Sequence, residues 1–342
     1  MTEMNECTAA NESRFGRTGA THVLVIVNPG SRNGARALPS VLAALRGANL
    51  VHEVAETIGP AHATTLVRER VSAAPRRYAA VLSLGGDGTA MEVASALAEL
   101  PDAPPLGIVA VGTANILARS LGIPTNPSRA VMALLKAEVV PTDLGRIVDG
   151  PAFAIGLGVG LDATMIGGAS SGLKRRIGYA AYAWSALRAG LRLERFHATI
   201  TVDGERHVVE ASSILVANFG TVLGGVLCFG EKIGQHDGVL DVCIYSPRSY
   251  FEAARIFWRM LRGGVSRDCR VHIIRGQQVR IETDPPRPMQ ADGELLGLTP
   301  VNIRVEPNAV RLLVPHAAPR RWRSPRLVAP RGHLEQLESC TP

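Results

Sequence analysis

Gly85-Gly86-Asp87-Gly88-Thr89 follows the apolar run Tyr78-Ala79-Ala80-Val81-Leu82-Ser83-Leu84 and opens an amphipathic one, Thr89 to Leu100. A strand, a glycine-rich turn and a helix N-terminus in that order make a phosphate site. Glycines let backbone N–H groups approach closely, and the helix end adds partial positive charge. Asp87 sharpens the reading, because a carboxylate beside phosphates is repulsive unless a cation or proton donor lies between. It therefore points to Mg²⁺ or its bound waters. The competing reading is a tight βα turn with Asp87 as a helix cap.

Outward from this turn the same alternation recurs. Thr21 to Asn28 is a buried strand ending in the turn Asn28-Pro29-Gly30-Ser31. Residues 38–46 form a helix with Pro39 in its first turn. Leu50 to Ala55 is a strand, Ala61 to Ser72 a helix and Leu106 to Val111 a strand, after which Gly112-Thr113-Ala114-Asn115 starts another helix. This pattern predicts a parallel sheet with helices on both faces, whose ligands bind beyond the carboxyl ends of the strands. Three turns, 28–34, 85–89 and 112–115, fall at those ends.

After about residue 145 the pattern changes. Phe153 to Gly160 is strand-like, residues 173–193 read as a basic amphipathic helix, and from Ala198 the period is mostly two, with a hairpin signal at Asp203-Gly204. Strands are expected near 198–202, 206–217, 239–245, 270–274, 278–283, 301–305 and 310–314, with a helix at 249–262. Pro285-Pro286-Arg287-Pro288 reads as an extended loop. This half is predicted to be an antiparallel sandwich. Residues 1–20 read as a disordered leader and 316–342 as a basic flexible tail.

A chain of 342 residues, 46% hydrophobic, has length for two domains with sizeable cores. Its net charge of +7 favours anionic partners: nucleotides, nucleic acid or an acidic membrane surface. Cys7, Cys228, Cys243, Cys269 and Cys340 are scattered without metal-ligand spacing, which suggests reduced core thiols and a cytoplasmic protein. No signal peptide and no spanning helix is expected, so any membrane contact would be peripheral.

Several further residues carry candidate chemistry. Thr113 can cap its helix and offer a hydroxyl to a phosphate. Asp143, in Pro141-Thr142-Asp143-Leu144-Gly145, is either a turn acid or part of a magnesium network with Asp87. Gly234-Gln235-His236-Asp237-Gly238-Val239 is either a hairpin turn or a carboxylate with turn carbonyls around a hard cation. In Ala291-Asp292-Gly293-Glu294, either the chain simply turns or Asp292 accepts a proton from an attacking hydroxyl with Glu294 in support. Lys174, Arg175, Arg176, Arg188, Arg192 and Arg195, interleaved with Tyr179, Tyr182 and Trp184, suit a solvated helix face or a membrane surface equally.

Taken in order, Asn28-Pro29, Gly85-Gly86-Asp87-Gly88-Thr89, Gly112-Thr113-Ala114-Asn115 with Ala118-Arg119, Asp143-Leu144-Gly145, Asp237-Gly238 and Asp292-Gly293-Glu294 resemble the soluble diacylglycerol kinase catalytic family, which includes sphingosine, ceramide and bacterial lipid kinases. The resemblance runs from about residue 21 to 315. It implies an α/β, phosphofructokinase-like nucleotide domain over 21–146, with 310–320 a candidate to return to it. A β-sandwich lipid-substrate domain would follow over 147–315, with the active site in the cleft between. It assigns ATP binding to Asn28, Pro29, Gly85, Gly86, Asp87, Gly88, Thr89, Gly112, Thr113 and Asn115. It places Asp87 and Asp143 in a magnesium network and assigns a structural magnesium site to Asp237 with the carbonyls of Gly234 and Val239. Asp292 matches the general base, with Glu294 beside it. Two positions depart from the family pattern: Ile116 stands where many members carry an acid, and Met91 where many carry Asn. The first turn is also longer than the usual one, leaving its basic residue open between Arg32 and Arg36.

The expected activity is an ATP- and Mg²⁺-dependent lipid kinase acting on diacylglycerol or a sphingoid-like lipid. The expected partners are a membrane-borne lipid and an anionic membrane touched peripherally, without nucleic acid. A homodimer is left open. Two other readings compete: an NAD or other soluble-substrate kinase sharing the Gly-Gly-Asp-Gly turn, and a non-catalytic lipid- or nucleotide-binding protein, which Ile116 and Met91 favour.

Overall fold

The computed structural model describes residues 22–160, apart from Arg32 and Pro75, and residues 194–316. The basic helix expected at 173–193 therefore lies outside the described residues. The chain divides into two compact units. The first holds the described residues up to Thr142 and those from Ala309 onward; the second runs from Asp143 to Asn308.

In the first unit strands alternate with helices: β1 (His22–Val27), α1 (Gly34–Gly47), β2 (Val51–Glu56), α2 (His62–Ala73), β3 (Tyr78–Gly85), α3 (Asp87–Ala98), β4 (Leu106–Ala110), α4 (Ile116–Ser120) and α5 (Pro127–Leu134). The strands pair in parallel in the order β2-β1-β3-β4, and Leu312 pairs in parallel with Leu106 beyond β4. Every residue of β3 and β4 is buried, which is why these strands read as unbroken apolar runs. Helix α1 buries Gly34, Ala37, Val41 and Leu45, a single stripe at helical spacing. It begins four residues earlier than expected, so Pro39 stands in the second turn and leaves the carbonyl four residues back without its N–H. Helix α3 likewise begins at Asp87 rather than Thr89. The helix after the 112–115 turn is only five residues long. Helix α5 follows, capped by Asn126, whose side chain accepts from the Arg129 N–H at 3.0 Å, with Pro127 in the first turn.

Strand β5 (Glu138–Ile147) carries the chain into the second unit, where β6 (Ala152–Phe153), β7 (Gly156–Gly160), β8 (Phe196–Val202), β9 (Glu205–Ala211) and β10 (Ser213–Ala217) are followed by the short β11 (Thr221–Val222) and β12 (Leu227–Cys228). Then come β13 (Leu240–Tyr245), α6 (Tyr250–Arg262), β14 (Val271–Gly276), β15 (Gln278–Asp284), β16 (Pro288–Ala291), β17 (Glu294–Leu298) and β18 (Val301–Val314). One sheet of this unit has the order β14-β13-β10-β7-β16-β17, and its internal pairings are antiparallel. Strands β9, β8 and β15 pair antiparallel with one another, and β15 with the first part of β18. Between the two layers lies an apolar core that includes Leu157, Val216 and Val242 from one and Ile200, Ile281 and Ile303 from the other, the arrangement of a β-sandwich.

Three details differ from the sequence pattern. The run 206–217, expected as one strand, breaks at buried Ser212, and the chain passes from one sheet to the other there. Residues 288–298 form a hairpin with Asp292-Gly293 as its two-residue turn, both at positive φ (46° and 94°), the mirror-image geometry that suits strand twist. Residues 301–314 form one strand rather than two.

The glycine of Asp143-Leu144-Gly145 has a packing cause. It lies opposite Phe153 across the β5–β6 pair, and a Cβ built on it would overlap the fully buried Phe153 ring. Gly145→Ala is expected to destabilise the protein by about 1–3 kcal/mol through overpacking. The check is a denaturant-unfolding midpoint; an unchanged midpoint would show that the ring moves aside freely.

Candidate active site

In the first unit the turns at 28–34, 85–89 and 112–115 follow β1, β3 and β4, and they are fastened to one another. The Asn28 side-chain amide donates to the Thr89 hydroxyl at 3.2 Å, tying the first turn to the second. The Asp87 carboxylate accepts the N–H groups of Ile116 and Leu117 at 3.0 and 3.1 Å, tying the second to the third. Asp87 is thus a cap, but of the next helix rather than its own. Burial raises its pKa above the ordinary carboxylate value, partly opposed by these N–H donors.

Glycine is required where backbones meet. A Cβ on Gly112 would lie 2.7 Å from the Gly86 Cα, and one on Gly85 would lie 2.5 Å from the Thr89 hydroxyl. Gly88 sits in the first turn of α3 and Pro29 in the turn after β1. Asn115 is left-handed (φ 51°) and its side-chain amide donates to the Gly112 carbonyl at 3.2 Å. Thr113 is exposed beside a cavity of about 470 Å³, whose lining includes Asn33, Arg36, Gly112, Thr113, Asn115 and Arg119. Of the two candidates for the basic position of the first turn, Arg36 on α1 lines this cavity, and Arg32 lies outside the described residues. Arg119 carries charge next to Asp87, a role that its place in the motif did not reveal. Gly112→Ala is expected to push the second and third turns apart and weaken nucleotide binding at least tenfold. Titration with a fluorescent ATP analogue checks this, and unchanged affinity would show that the turns need not touch.

In the second unit Asp143 stands within β5 and not in a turn. Its carboxylate accepts the N–H groups of Gly238 and Asn308, both at 2.7 Å, and burial raises its pKa. The Asn218 side chain donates to the carbonyls of Asp143 and Ala154 at 2.8 and 2.7 Å. Asp292 accepts three consecutive backbone donors, Ala154, Ile155 and Gly156, at 2.7, 2.9 and 3.1 Å. All three N–H groups converge on the two carboxylate oxygens as acceptors. Glu294, on the far side of the turn, is exposed at the start of β17.

Asp237 meets a guanidinium. Arg275 Nη2 lies 2.5 Å from its Oδ2, and Arg275 Nε lies 2.8 Å from Oδ1 of buried Asp241. The Gly234 backbone passes close to the Asp237 carboxylate. The other Asp237 oxygen is buried without a hydrogen-bond partner, so by donor type it suits a hard cation together with turn carbonyls such as those of Gly234 and Val239. Among the described residues no three His, Cys, Asp or Glu side chains gather as a metal site. No spacing rule pointed to Arg275 or Asp241.

The first unit is thus a parallel α/β unit with interlocked glycine turns, and the second an antiparallel sandwich. The sequence matches the diacylglycerol kinase catalytic domain over residues 22–147 and the YegS C-terminal NAD kinase beta sandwich-like domain over residues 156–314. Residues 22–147 thus match a diacylglycerol kinase catalytic domain and residues 156–314 a YegS-type sandwich domain, so the chain is lipid-kinase-like. It is 29% identical over 239 residues to an uncharacterized protein of Synechocystis sp., a match covering 69% of this chain and 54% of that protein. It is 28% identical over 237 residues to a Staphylococcus aureus JH9 protein named "Putative lipid kinase", covering 67% of this chain and 75% of that one. A solved structure described as a "putative diacylglycerol kinase from Bacillus anthracis" superposes with TM-score 0.74 at 26% identity, covering 87% of this chain and 96% of that one. Among the described residues no helix is long and apolar enough to cross a membrane.

Proposed function

We propose that this protein is an ATP- and magnesium-dependent lipid kinase that transfers the γ-phosphoryl group of ATP to a hydroxyl of diacylglycerol or a sphingoid-like lipid carried in a membrane. The observation that carries this reading is the interlocking of the three turns by Asn28–Thr89, Asp87–Ile116/Leu117 and Gly86–Gly112 beside an Arg-lined cavity. Such a rigid set of backbone groups suits phosphates, and phosphoryl transfer depends mainly on positioning and charge neutralisation. Asn28, Pro29, the 85–89 turn, Gly112, Thr113 and Asn115 would hold the nucleotide, with Arg36 and Arg119 supplying positive charge. When bound, magnesium supplies charge neutralisation at the phosphates; Asp87 and Asp143 would belong to its network and Asp237 to a structural site. In the transfer, the acceptor oxygen bonds to the γ-phosphorus, the bond from that phosphorus to the β-bridging oxygen breaks, and the hydroxyl proton passes to Asp292. Its backbone donors fix the plane of that carboxylate, so it acts by position first. Glu294 would stand beside it.

The test is transfer of labelled γ-phosphate from ATP to diacylglycerol, sphingosine, ceramide and phosphatidylglycerol in mixed micelles, with and without Mg²⁺. A labelled lipid that depends on Mg²⁺ is expected; intact ATP binding without any labelled product rejects the reading. The NAD kinase-like description of the second domain's match favours one alternative, a soluble acceptor. NAD in the same panel decides it.

A further inference from the structure

Helix α6 leaves most of its own apolar side chains in solvent. Only Ile256 is buried, with Met260 packed partly against a small cluster that includes Leu215, Tyr245 and Val265. Tyr250 (56% exposed), Phe251 (88%), Phe257 (46%), Trp258 (54%) and Leu261 (39%) stay outside. At about 100° per residue these five fall on one contiguous arc of the helix, opposite Ile256. Taking ~200 Å² for a large side chain, the exposed area is roughly 570 Å², the upper end of what monomers leave uncovered.

The next strip around the helix is basic. Arg262, Arg255 and Arg259 follow the apolar arc in that angular order. The Arg262 guanidinium lies 4.4 Å from the Trp258 ring centre. Arg255 and Arg259 both reach Asp268, at 2.9 and 3.4 Å, which orients them along the rim while neutralising only one charge. Across residues 246–270 there are six arginines and two acids.

We propose that α6 is a membrane-docking helix that lays Phe251, Phe257, Trp258 and Leu261 into the headgroup–acyl boundary of an anionic bilayer, with its arginine rim on the lipid phosphates. This deepens the proposed lipid kinase reading and rests on it for the presence of the acceptor in a bilayer. The chemistry matches the surface. Aromatic rings with an apolar body and a polar edge settle at the interface, and a short amphipathic helix binds there by apolar burial plus attraction to anionic lipid. Guanidinium groups pair with phosphate in a planar fork. A second copy of this chain fits poorly, because a two-fold contact would set the same arginines against one another.

The experiment is co-sedimentation of the full chain with phosphatidylcholine vesicles, with and without phosphatidylglycerol. Binding to the anionic vesicles is expected, weakening as salt rises. The triple variant Phe251→Ala, Trp258→Ala, Leu261→Ala is expected to lower the bound fraction at least tenfold, and Arg262→Gln to flatten the salt dependence. The three apolar side chains are exposed, so the thermal midpoint should hold, and that measurement guards against misfolding. A triple variant that binds vesicles like the parent overturns the proposal. So does a parent that ignores anionic vesicles, or one that sediments as a dimer which the variant breaks. Sedimentation needs no ATP, so the two readings fail separately. Vesicle binding without phosphate transfer to any lipid rejects the kinase and keeps the docking helix. Phosphorylation of a short-chain soluble diacylglycerol, with vesicle binding unchanged in the triple variant, does the reverse.

Discussion

Asparagine at position 292 is expected to cut phosphate transfer by at least ~100-fold, the scale of a lost proton acceptor, while leaving ATP binding intact. The same change costs stability. The Asp292 carboxylate receives three backbone N–H groups, and an amide has one oxygen to offer, so its NH₂ must face a donor. A buried N–H left unmet costs about 1–3 kcal/mol. Rate and stability therefore have to be read together, with transfer measured at a temperature where denaturant titration shows the variant folded. A rate per folded molecule equal to the parent's would remove Asp292 from the chemistry and leave it as the anchor of residues 154–156. Loss of rate in fully folded protein supports the proton acceptor.

Arg275→Ala is expected to destabilise the protein by about 3–5 kcal/mol near pH 8, the penalty for stranding a buried charge. Asp241 is 2% exposed in its side chain and Asp237 is 9% exposed, and both rely on this guanidinium. Burial pushes the Asp241 carboxyl up to about 7, against the pull of Arg275. A carboxyl that holds its proton more tightly folded than unfolded favours the folded state below the ordinary carboxylate range. That contribution is lost as pH rises towards 7. Without Arg275 the ionised form becomes costlier still, so the deficit should be largest at pH 8 and shrink at pH 5, where Asp241 is protonated. Urea unfolding at the two pH values checks this; an equal loss at both would place the cost in packing and not in charge.

Much of the first unit was legible because β1, β3 and β4 are buried on both faces and its turns are glycine-rich, so apolar runs and breaks alternate clearly. The start of α1 was not, since Asn33 offers no side-chain cap and the turn runs straight into the helix. In the second unit the alternation of 206–217 concealed the change of sheet at Ser212, which keeps the period of two on either side. Pro285 to Pro288 hid the 288–298 hairpin, because prolines argue against strands although they tolerate their first residue. Pro307-Asn308 divided the last strand on paper. In the fold Asn308 takes a left-handed φ of 50° within it and thereby aims its N–H at Asp143.

The candidate acids show a similar limit. Asp87, Asp143 and Asp292 stand out by their motifs, and the structure gives all three backbone N–H partners distant in sequence. Glu92 does the same for α2, accepting from Ala61 and Ala63 at 3.0 and 3.1 Å. Motif spacing registers the acid but not the remote backbone it fastens. Arg275 was invisible for a related reason: its partners lie 38 and 34 residues away with no regular interval.

The pairing of Leu312 with Leu106 has a consequence during synthesis. The strand that lies beyond β4 is made about 200 residues after β4 itself. At about 5–20 residues per second a ribosome needs roughly 10–40 s to deliver it. Throughout that time the nascent first unit shows an unpaired edge of buried-type residues, Leu106 to Ala110, which is a template for wrong partners. Truncation before residue 309 would make that interval permanent. The first unit is therefore completed only after residues 309–314 have left the ribosome.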